Sequence, residues 1–474
     1  MLMKRFTRQL KKSYSAIWNK IEFIKTVLLT LLIILSIFLT YNLWTFTPNN
    51  KVLENEATIE TKIPQDEDGK SEKLANIIQP RKIVLHKGGE HYWSYSKDQN
   101  EIYDRLQSTL LISNNNKKPV EYKADIPSDG VDIIYPTGIP VDVLKETFQF
   151  SKDNPFENKK GNVKRLRVFE TDGEWNLQFI FEPEGNPYEL DQLKERVAYQ
   201  FQLSDNKIKT SIDKMISSQN TAQVEPFELG ENKWPFYLPV DKLKIDTYLY
   251  RAYQLDINLF VRALLPSNVV TEHMEDRILY GKSKSFIAYY ENENKFTYNS
   301  NWNSQDNVMR QNPIIQSLDF INNHAGWTDK YHLYYYNDST IDDETTNSQT
   351  EIAYQMIING FPVLNNFNSI GEINLKWTAN QADEYRRSLT YLKDPTEINP
   401  PLDVLEKGSE VIEALSAVPN PEDITDITIG YVLRPAESDT LFSLEPAWYY
   451  KSSWVKDWRR VNFPKDEPLS EQGG

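Results

Sequence analysis

Serine and lysine residues at the spacing of serine acyltransferases are the first candidates for chemistry in this chain. That class of enzyme needs an S-x-x-K nucleophile, an S-D-N triplet and a K-T-G strand beside the oxyanion. Ser94 and Lys97 match the first pattern, and Ser204 begins an S-D-N triplet. The S-x-x-K spacing also recurs at 204–207 and 211–214, and no Lys-Ser-Gly or Lys-Thr-Gly sequence follows residue 206. The set is incomplete, so these motifs do not indicate a serine enzyme.

Histidine and carboxylate residues could hold a metal ion, but their spacing matches no known site. The H-E-x-x-H motif places two histidines four residues apart on one helix face, and no pair in this chain has that spacing. Glu272, His273, Glu275 and Asp276 could ligate a cation, but a solvated charged turn is the favoured interpretation. The acidic run at 338–349 lacks the Asp/Asn ladder and central glycine of a calcium loop. The sequence therefore predicts no catalytic residue, no metal and no cofactor.

The elements that would carry these side chains are mostly strands, with helices between them. Two alternating runs at 163–170 and 174–182 flank Asp172-Gly173, a dipeptide that supplies the positive φ angles of a tight β-hairpin. Antiparallel sheets with packed helices, an α+β fold, are the expected architecture. Further strands are predicted at 81–86, 247–255, 278–290, 332–336, 351–358, 372–378, 386–392, 424–433 and 445–451, and helices at 98–111, 205–218, 257–265, 314–323 and 402–415.

The net charge and the absence of cysteine exclude some kinds of partner and of covalent attachment. The chain carries a net charge of −15, whereas its first 25 residues contain seven Lys or Arg and one acidic residue. The remainder is therefore strongly acidic, which argues against nucleic acid as a partner. The chain contains no cysteine, so it has neither a disulfide framework nor a lipid anchor on cysteine.

A run of nineteen uncharged residues, Thr26–Trp44, predicts a single transmembrane helix in the cell membrane. At about 1.5 Å per residue it spans roughly 28 Å, close to the thickness of the hydrocarbon core of a lipid bilayer. The cationic tail before it predicts a cytoplasmic N-terminus and an extracellular remainder. The residues that follow, including Tyr41 and Phe46, are bulky, which favours a retained anchor over a cleaved signal peptide.

One face of this predicted helix has the composition of a helix–helix interface. Its residues recur at alternating intervals of four and three, the periodicity of a coiled-coil seam, while leucines occupy most of the remaining surface. Small hydroxyl residues on one side favour close packing and interhelical hydrogen bonds in lipid. The same hydroxyls could instead bond to carbonyls of their own helix. The predicted partner-binding face consists of Thr26, Thr30, Ile33, Ile37, Thr40 and Trp44.

Changes of composition along the chain predict its division into segments. Residues 47–80 contain no aromatic residue and scattered charges, as expected for a flexible linker. The predicted segments are a cytoplasmic basic tail at 1–25, a transmembrane helix at 26–46, the linker at 47–80, extracellular domains at 81–222, 223–345 and 346–463, and a disordered C-terminal tail at 464–474.

Several blocks of sequence, from residues 39–48 beside the predicted helix to residues 446–449 near the C-terminus, match a known pattern. They resemble the YycH (WalH) family of Gram-positive bacteria, accessory regulatory proteins of the YycG/WalK two-component sensor kinase. The resemblance covers nearly the whole chain and is most specific beyond Ser317. The family pattern has a glycine where this chain has Ala325. The blocks lie at 39–48, 318–327, 354–362, 385–389, 427–431 and 446–449, together with Trp377 and Asp383.

The resemblance implies a function as well as a fold. It implies three extracellular α+β domains and a complex with a YycI-like protein and with the YycG/WalK-like kinase, regulated largely through transmembrane helix contacts. It also implies that there is no catalytic residue. The alternative is an extracellular ligand-binding or cell-wall-processing module that the helix merely tethers.

Overall fold

The structure is a computed structural model. The chain forms two compact units, Met1–Ala57 and Thr58–Gly474. Its described residues are 25, 28–33, 35–36, 61–62, 70–95, 100–113, 120–121, 126–151, 156, 160–182, 197–205, 207–218, 220–229, 234–266, 269–282, 284–300, 311–338, 349–364, 369–395, 402–436, 440–453 and 457–463.

The first unit is helical wherever it is described. Residues 28–33 and 35–36 are helical, and their leucine and isoleucine side chains are 47–60% exposed. Within the described part of the chain, no helix combines the length and the hydropathy that a membrane span requires. The predicted transmembrane helix therefore stays a prediction.

The second unit is built mainly from strands. Several are nearly continuous apolar runs, and the longest buried one covers Gly130–Pro140. In order the strands are β1 Thr61–Lys62, β2 Lys82–Lys87, β3 Glu90–Ser94, β4 Leu110–Ser113, β5 Val120–Glu121, β6 Gly130–Pro140, β7 Gln149–Phe150, β8 Asn162–Thr171, β9 Glu174–Phe181, β10 Val197–Leu203, β11 Thr221–Phe227, β12 Phe236–Pro239, β13 Leu243–Asp246, β14 Tyr248–Gln254, β15 Thr271–His273, β16 Ile278–Lys282, β17 Ser285–Tyr290, β18 Lys295–Ser300, β19 His324–Ala325, β20 Tyr331–Asp338, β21 Gln349–Ile358, β22 Phe361–Pro362, β23 Glu372–Thr378, β24 Gln381–Ser388, β25 Thr390–Pro395, β26 Leu402–Leu405, β27 Ile424–Pro435, β28 Leu441–Ser452 and β29 Arg459–Arg460.

Short helices connect these strands, and two of them begin at residues that cap their N-termini. Asp256 accepts a hydrogen bond from the backbone N–H of Asn258, and Asn312 accepts one from that of Ile314, which satisfies donors left free at a helix start. The helices are α1 Leu74–Ile77, α2 Glu101–Ser108, α3 Val141–Thr147, α4 Ile208–Ile216, α5 Ile257–Leu264, α6 Pro313–Asn323 and α7 Gly408–Ser416, with 3₁₀ turns at Glu291–Glu293 and Pro421–Asp423.

Three large sheets contain most of the strands. The first has eleven described strands in the order β12-β11-β3-β2-β6-β8-β9-β10-β4-β7, with β5 paired to β10. The second has nine, in the order β15-β16-β17-β18-β24-β23-β21-β20, with β22 paired to β21. The third has five, in the order β25-β14-β28-β27, with β29 paired to β28. Neighbours within them are antiparallel except β4 and β7, and pairs β13-β26 and β1-β19 form two small sheets.

The three sheets share one hydrophobic core and are joined by hydrogen bonds. Buried apolar residues from Ile77 to Val461 form one continuous cluster. The Arg81 guanidinium donates to the carbonyl of Ile427 at 3.1 Å, which links the first sheet to the third. The backbone N–H of Leu364 donates to the carbonyl of Tyr431 at 2.9 Å, which links the second sheet to the third. The predicted domain boundaries stay predictions, and strands on both sides of residue 345 pair in the second sheet.

Most predicted elements are present, with three corrections. The single strand predicted at 278–290 is a hairpin of two strands, Ile278–Lys282 and Ser285–Tyr290. The helix predicted at 98–111 ends at Ser108, and a strand begins at Leu110. Antiparallel sheets with packed helices are confirmed, and the hairpin at 163–182 turns at Asp172 and Gly173, which have φ angles of +54° and +82°. The predicted helix over 402–415 is wrong in its first part. Leu402–Leu405 is a strand because it pairs in antiparallel register with Leu243–Asp246, and the helix begins only at Gly408.

Candidate functional site

The predicted partner-binding face of the N-terminal helix lies only partly within the described residues. Thr30 and Ile33 are helical and exposed. Thr26, Ile37, Thr40 and Trp44 lie outside the described residues, so the face as a whole stays a prediction.

The serine motifs have structural explanations where they are described. Ser94 is buried in β3, and Lys97 lies outside the described residues. Asp205 accepts a hydrogen bond from the backbone N–H of Lys207 at 2.9 Å, so it forms a turn before α4. Lys214 pairs with Glu101 at 2.9 Å rather than with Ser211. Among the described residues, no side-chain hydrogen bond joins Ser204 or Ser211 to a lysine as a nucleophile would require.

The histidines do not assemble a metal site, but two of them meet. His86 and His91 face each other on neighbouring strands β2 and β3, with their Nδ1 atoms 2.9 Å apart. One nitrogen must donate and the other accept, so at least one ring is neutral. Burial, and then the proximity of His86, lowers the pKa of His91. Among the described residues, no group of three or more histidines and carboxylates is placed to hold a metal ion.

Behind this histidine pair lies a buried ionic cluster, made of His86, Asp132, Arg165 and Arg167. Asp132 accepts hydrogen bonds from Arg167 Nε at 2.8 Å and Nη2 at 3.0 Å, and from Arg165 Nη1 at 3.2 Å. His86 Nε2 lies 3.7 Å from the same carboxylate. Burial alone would raise the pKa of Asp132, but the charge of Arg167, the adjacent His86 and the charge of Arg165 outweigh it and hold the pKa well below its usual range.

The strands explain why these charges converge. Asp132 on β6 pairs directly with Arg167 on β8, and Arg165 is two residues further along β8 on the same face. His86 reaches them from β2, the other neighbour of β6. Because the carboxylate is fully buried and ionised among cations, it cannot take and release protons near neutral pH, and the cluster has no organised nucleophile.

A small cavity lies beside this ionic cluster, between the first and third sheets. Its volume is about 50 Å³. Arg165 belongs to both features, because its guanidinium lies 3.9 Å from the ring centroid of Trp234 in the cavity wall. The lining residues are Arg81, Lys82, Ile134, Lys164, Arg165, Trp234, Pro235, Phe236, Tyr237, Thr425, Asp426 and Ile427.

Sequence reasoning did not single out either feature, although a signal was present. Asp132 interrupts an apolar run within 131–135, and a charged residue in a buried strand requires a partner. The Lys-Arg-Leu-Arg sequence at 164–167 supplies cations on a strand that otherwise forms a hairpin. What the sequence could not show is that β2, β6 and β8 are neighbours.

Two family models match the chain. The model described as "YycH protein, N-terminal domain" matches residues 22–182, and "YycH protein, C-terminal domain" matches residues 233–467. The chain belongs to the YycH family. This YycH-family chain is 23% identical over 470 residues to a protein of Bacillus subtilis (strain 168) named "Two-component system WalR/WalK regulatory protein YycH". That alignment covers 91% of this chain and 95% of the relative.

The YycH fold is also found by comparison with solved structures. The chain matches the crystal structure of YycH from Bacillus subtilis with a TM-score of 0.63 at 18% sequence identity. The match covers 83% of this chain and 98% of the crystallised chain. At this identity the likeness establishes the fold and not the details of a site.

Proposed function

We propose that this chain is a non-enzymatic, membrane-anchored regulator of a WalK-like sensor histidine kinase. The observation that carries the proposal is the Bacillus subtilis relative, whose name describes a regulatory protein of the WalR/WalK system and which aligns along 91% of this chain. The serine, histidine and carboxylate residues of the described part assemble no catalytic site, which supports a regulatory role.

The proposed mechanism acts within the membrane. The signal passes sideways, from the face formed by Thr26, Thr30, Ile33, Ile37, Thr40 and Trp44 to transmembrane helices of the kinase, while the extracellular sheets bind a YycI-like partner. A regulator changes the output of a kinase only if it contacts the two kinase states unequally.

The first experiment replaces residues 26–44 with a polyleucine span of equal length. Polyleucine keeps the membrane anchor but removes the hydroxyl-bearing face, so we expect loss of co-purification with the kinase and an altered kinase-dependent reporter. Normal association and normal output would refute the proposed mechanism and would favour the alternative, a module that is merely tethered.

A second experiment tests the particular face of the helix. Thr30, Ile33, Ile37 and Thr40 are changed together to leucine, which preserves hydropathy but blocks close approach of another helix. We expect loss of association with the kinase. The matched control changes Leu28, Leu32 and Leu35 together to isoleucine, on the remaining surface, and should leave association intact. Equal effects of the two variants would show that the face is wrongly assigned.

A further inference from the structure

The cavity between the first and third sheets concentrates positive charge in an otherwise acidic protein. Arg81, Lys82, Lys164 and Arg165 all line it, and Asp426 is the carboxylate among the lining residues. The chain as a whole carries a net charge of −15. Buried charges of one sign are costly unless they are paired, so a cationic cavity in such a chain requires an explanation.

The two arginines of the cavity are already paired with carboxylates. Arg81 Nη2 lies 2.6 Å from Asp426, and the two side chains are only 5% and 10% exposed. Arg165 shares Asp132 with Arg167. Four of the residues that line the cavity are cationic and one is a carboxylate, so positive charge predominates in its wall.

Each of the two lysines donates to a backbone carbonyl, and carboxylates also attract their charge: Asp426 acts on both, and Glu182 acts on Lys164. Lys82 Nζ donates to the carbonyl of Tyr237 at 3.1 Å, and Lys164 Nζ donates to that of Pro136 at 2.7 Å. Lys82 also lies 4.6 Å from the ring centroid of Trp93. Within the described part of the chain neither lysine forms an ion pair. Burial and the charge of Arg81 lower the pKa of Lys82 to about 7, although the charge of Asp426 acts in the opposite direction.

Hydrogen-bond donors remain available to a ligand. An ammonium group has three N–H donors, and each lysine uses one of them on a backbone carbonyl. Arg81 Nε is a buried donor without a hydrogen-bond partner among the described residues. Arg81 is also one of the residues that line the cavity, and a buried donor of this kind normally requires a partner.

The size and openings of the cavity limit what that group can be. A volume of about 50 Å³ exceeds the roughly 15 Å³ needed for one water molecule, and suits an ion of a few heavy atoms. The exposed Thr425 and the half-buried Lys164 and Trp234 lie on the side that solvent reaches. We propose that the cavity between the first and third sheets binds a phosphate-type oxyanion, either as the free ion or as the terminal phosphate of a larger molecule.

This proposal goes beyond the regulation of a kinase and is tested independently of it. The full chain is purified in dodecyl maltoside and a phosphate-free buffer at pH 7, and inorganic phosphate and glycerol 3-phosphate are titrated separately by calorimetry. We expect saturable binding of at least one of them. Binding of inorganic phosphate alone indicates a free ion, whereas binding of glycerol 3-phosphate indicates a phosphate monoester on a larger molecule.

Variants decide whether binding takes place in this cavity. Lys82→Met and Lys164→Met each remove one cation, and we expect each to weaken binding about tenfold or more, the effect of losing one charge-assisted hydrogen bond. Lys209→Met removes the same charge from the exposed surface of α4 and should bind as the unchanged protein does. If Lys82→Met does not fold, Lys164→Met on the solvent side carries the test. Absence of saturable binding, or equal binding by all variants, would overturn the proposal.

Discussion

At the scale of single residues, Asp132 is the carboxylate at the centre of the buried ionic cluster. It is fully buried and compensates Arg165 and Arg167 together. A buried ion pair need not stabilise a protein more than apolar residues would, but removing one partner leaves the other charge buried without compensation. The consequence of removing Asp132 is therefore larger than its hydrogen bonds alone suggest.

Asp132→Asn tests this dependence. The amide preserves the shape of the side chain but removes the negative charge that Asp132 supplies to two buried guanidinium groups, so we expect the free energy of unfolding to fall by about 3–5 kcal/mol. Urea unfolding measures the change. Asp142→Asn, at an exposed carboxylate that pairs with Lys145, is the control and should change stability little. A small effect of Asp132→Asn would mean that the arginines find other compensation.

His332 makes the stability of the protein depend on pH. Burial lowers its pKa to about 3, from an ordinary value of 6.5. Between pH 6.5 and pH 3 the unfolded chain binds a proton that the folded chain refuses, so the free energy of unfolding falls as the pH falls. At about 1.4 kcal/mol per pKa unit the total loss is on the order of 3–5 kcal/mol.

We expect His332→Phe to flatten this part of the pH profile, because phenylalanine fills the buried position without binding a proton. Urea unfolding at several pH values between 3 and 7 measures the slope for both proteins. His273→Phe, at an exposed histidine on β15, should leave the slope unchanged. An identical slope in His332→Phe and in the unchanged protein would show that His332 does not cause this pH dependence.

Single residues were the level at which sequence reasoning missed the most. The absence of a complete serine-enzyme motif was visible directly, because it depends only on spacing. The convergence of His86, Asp132 and Arg167 was not visible, because residues up to 81 positions apart meet through strand pairing. Local patterns report charge in a strand, but they do not report which strand lies beside it.

At the scale of elements, the turns show where backbone conformation restricts the sequence. Gly326 has a φ of +84°, and a Cβ atom there would lie 2.6 Å from the carbonyl oxygen of Lys70. That carbonyl accepts a hydrogen bond from the backbone N–H of Trp327 at 2.9 Å. Gly173 has nearly the same φ, +82°, but a Cβ atom there meets nothing within 4 Å.

Substitutions at these two glycines distinguish two costs, that of a steric clash and that of a left-handed backbone conformation. Gly173→Ala should cost about 1 kcal/mol, because only the left-handed conformation opposes it. Gly326→Ala should cost about 1–3 kcal/mol more, because the bridge between Lys70 and Trp327 must also shift. Urea unfolding of both variants measures the difference. Equal costs would show that the chain at Lys70 moves aside freely.

The element level was also where local sequence patterns were most informative. The Asp-Gly dipeptide predicted the hairpin correctly, because its turn depends only on neighbouring residues. The helix predicted at 402–415 was wrong over 402–405, where Leu402 and Leu405 matched a helical period. That segment is a strand because it finds a partner at 243–246, and a distant partner overrides local preference.

At the scale of the whole molecule, strand order is the feature that composition and periodicity could not supply. In the second sheet β18 pairs with β24, which lies more than 80 residues later in the chain. In the third sheet β14 pairs with β28, almost 200 residues later. Local patterns predicted the fold class, antiparallel sheets with packed helices, and the match to the crystallised YycH structure agrees with that class, but the strand order came only from the structure.

The contact between the first and third sheets provides the last prediction. Arg81 and Asp426 are an almost buried ion pair, 2.6 Å apart, that connects these sheets. A double-mutant cycle with Arg81→Met, Asp426→Asn and the double variant, followed by urea unfolding, should give a coupling energy of about 1–3 kcal/mol.

Lys87 and Asp213 form a matched control pair, also 2.6 Å apart, with side chains that are 51% and 46% exposed. Because solvent screens that pair, its coupling energy should be much smaller. If the two cycles gave the same coupling, burial would not strengthen the Arg81–Asp426 contact.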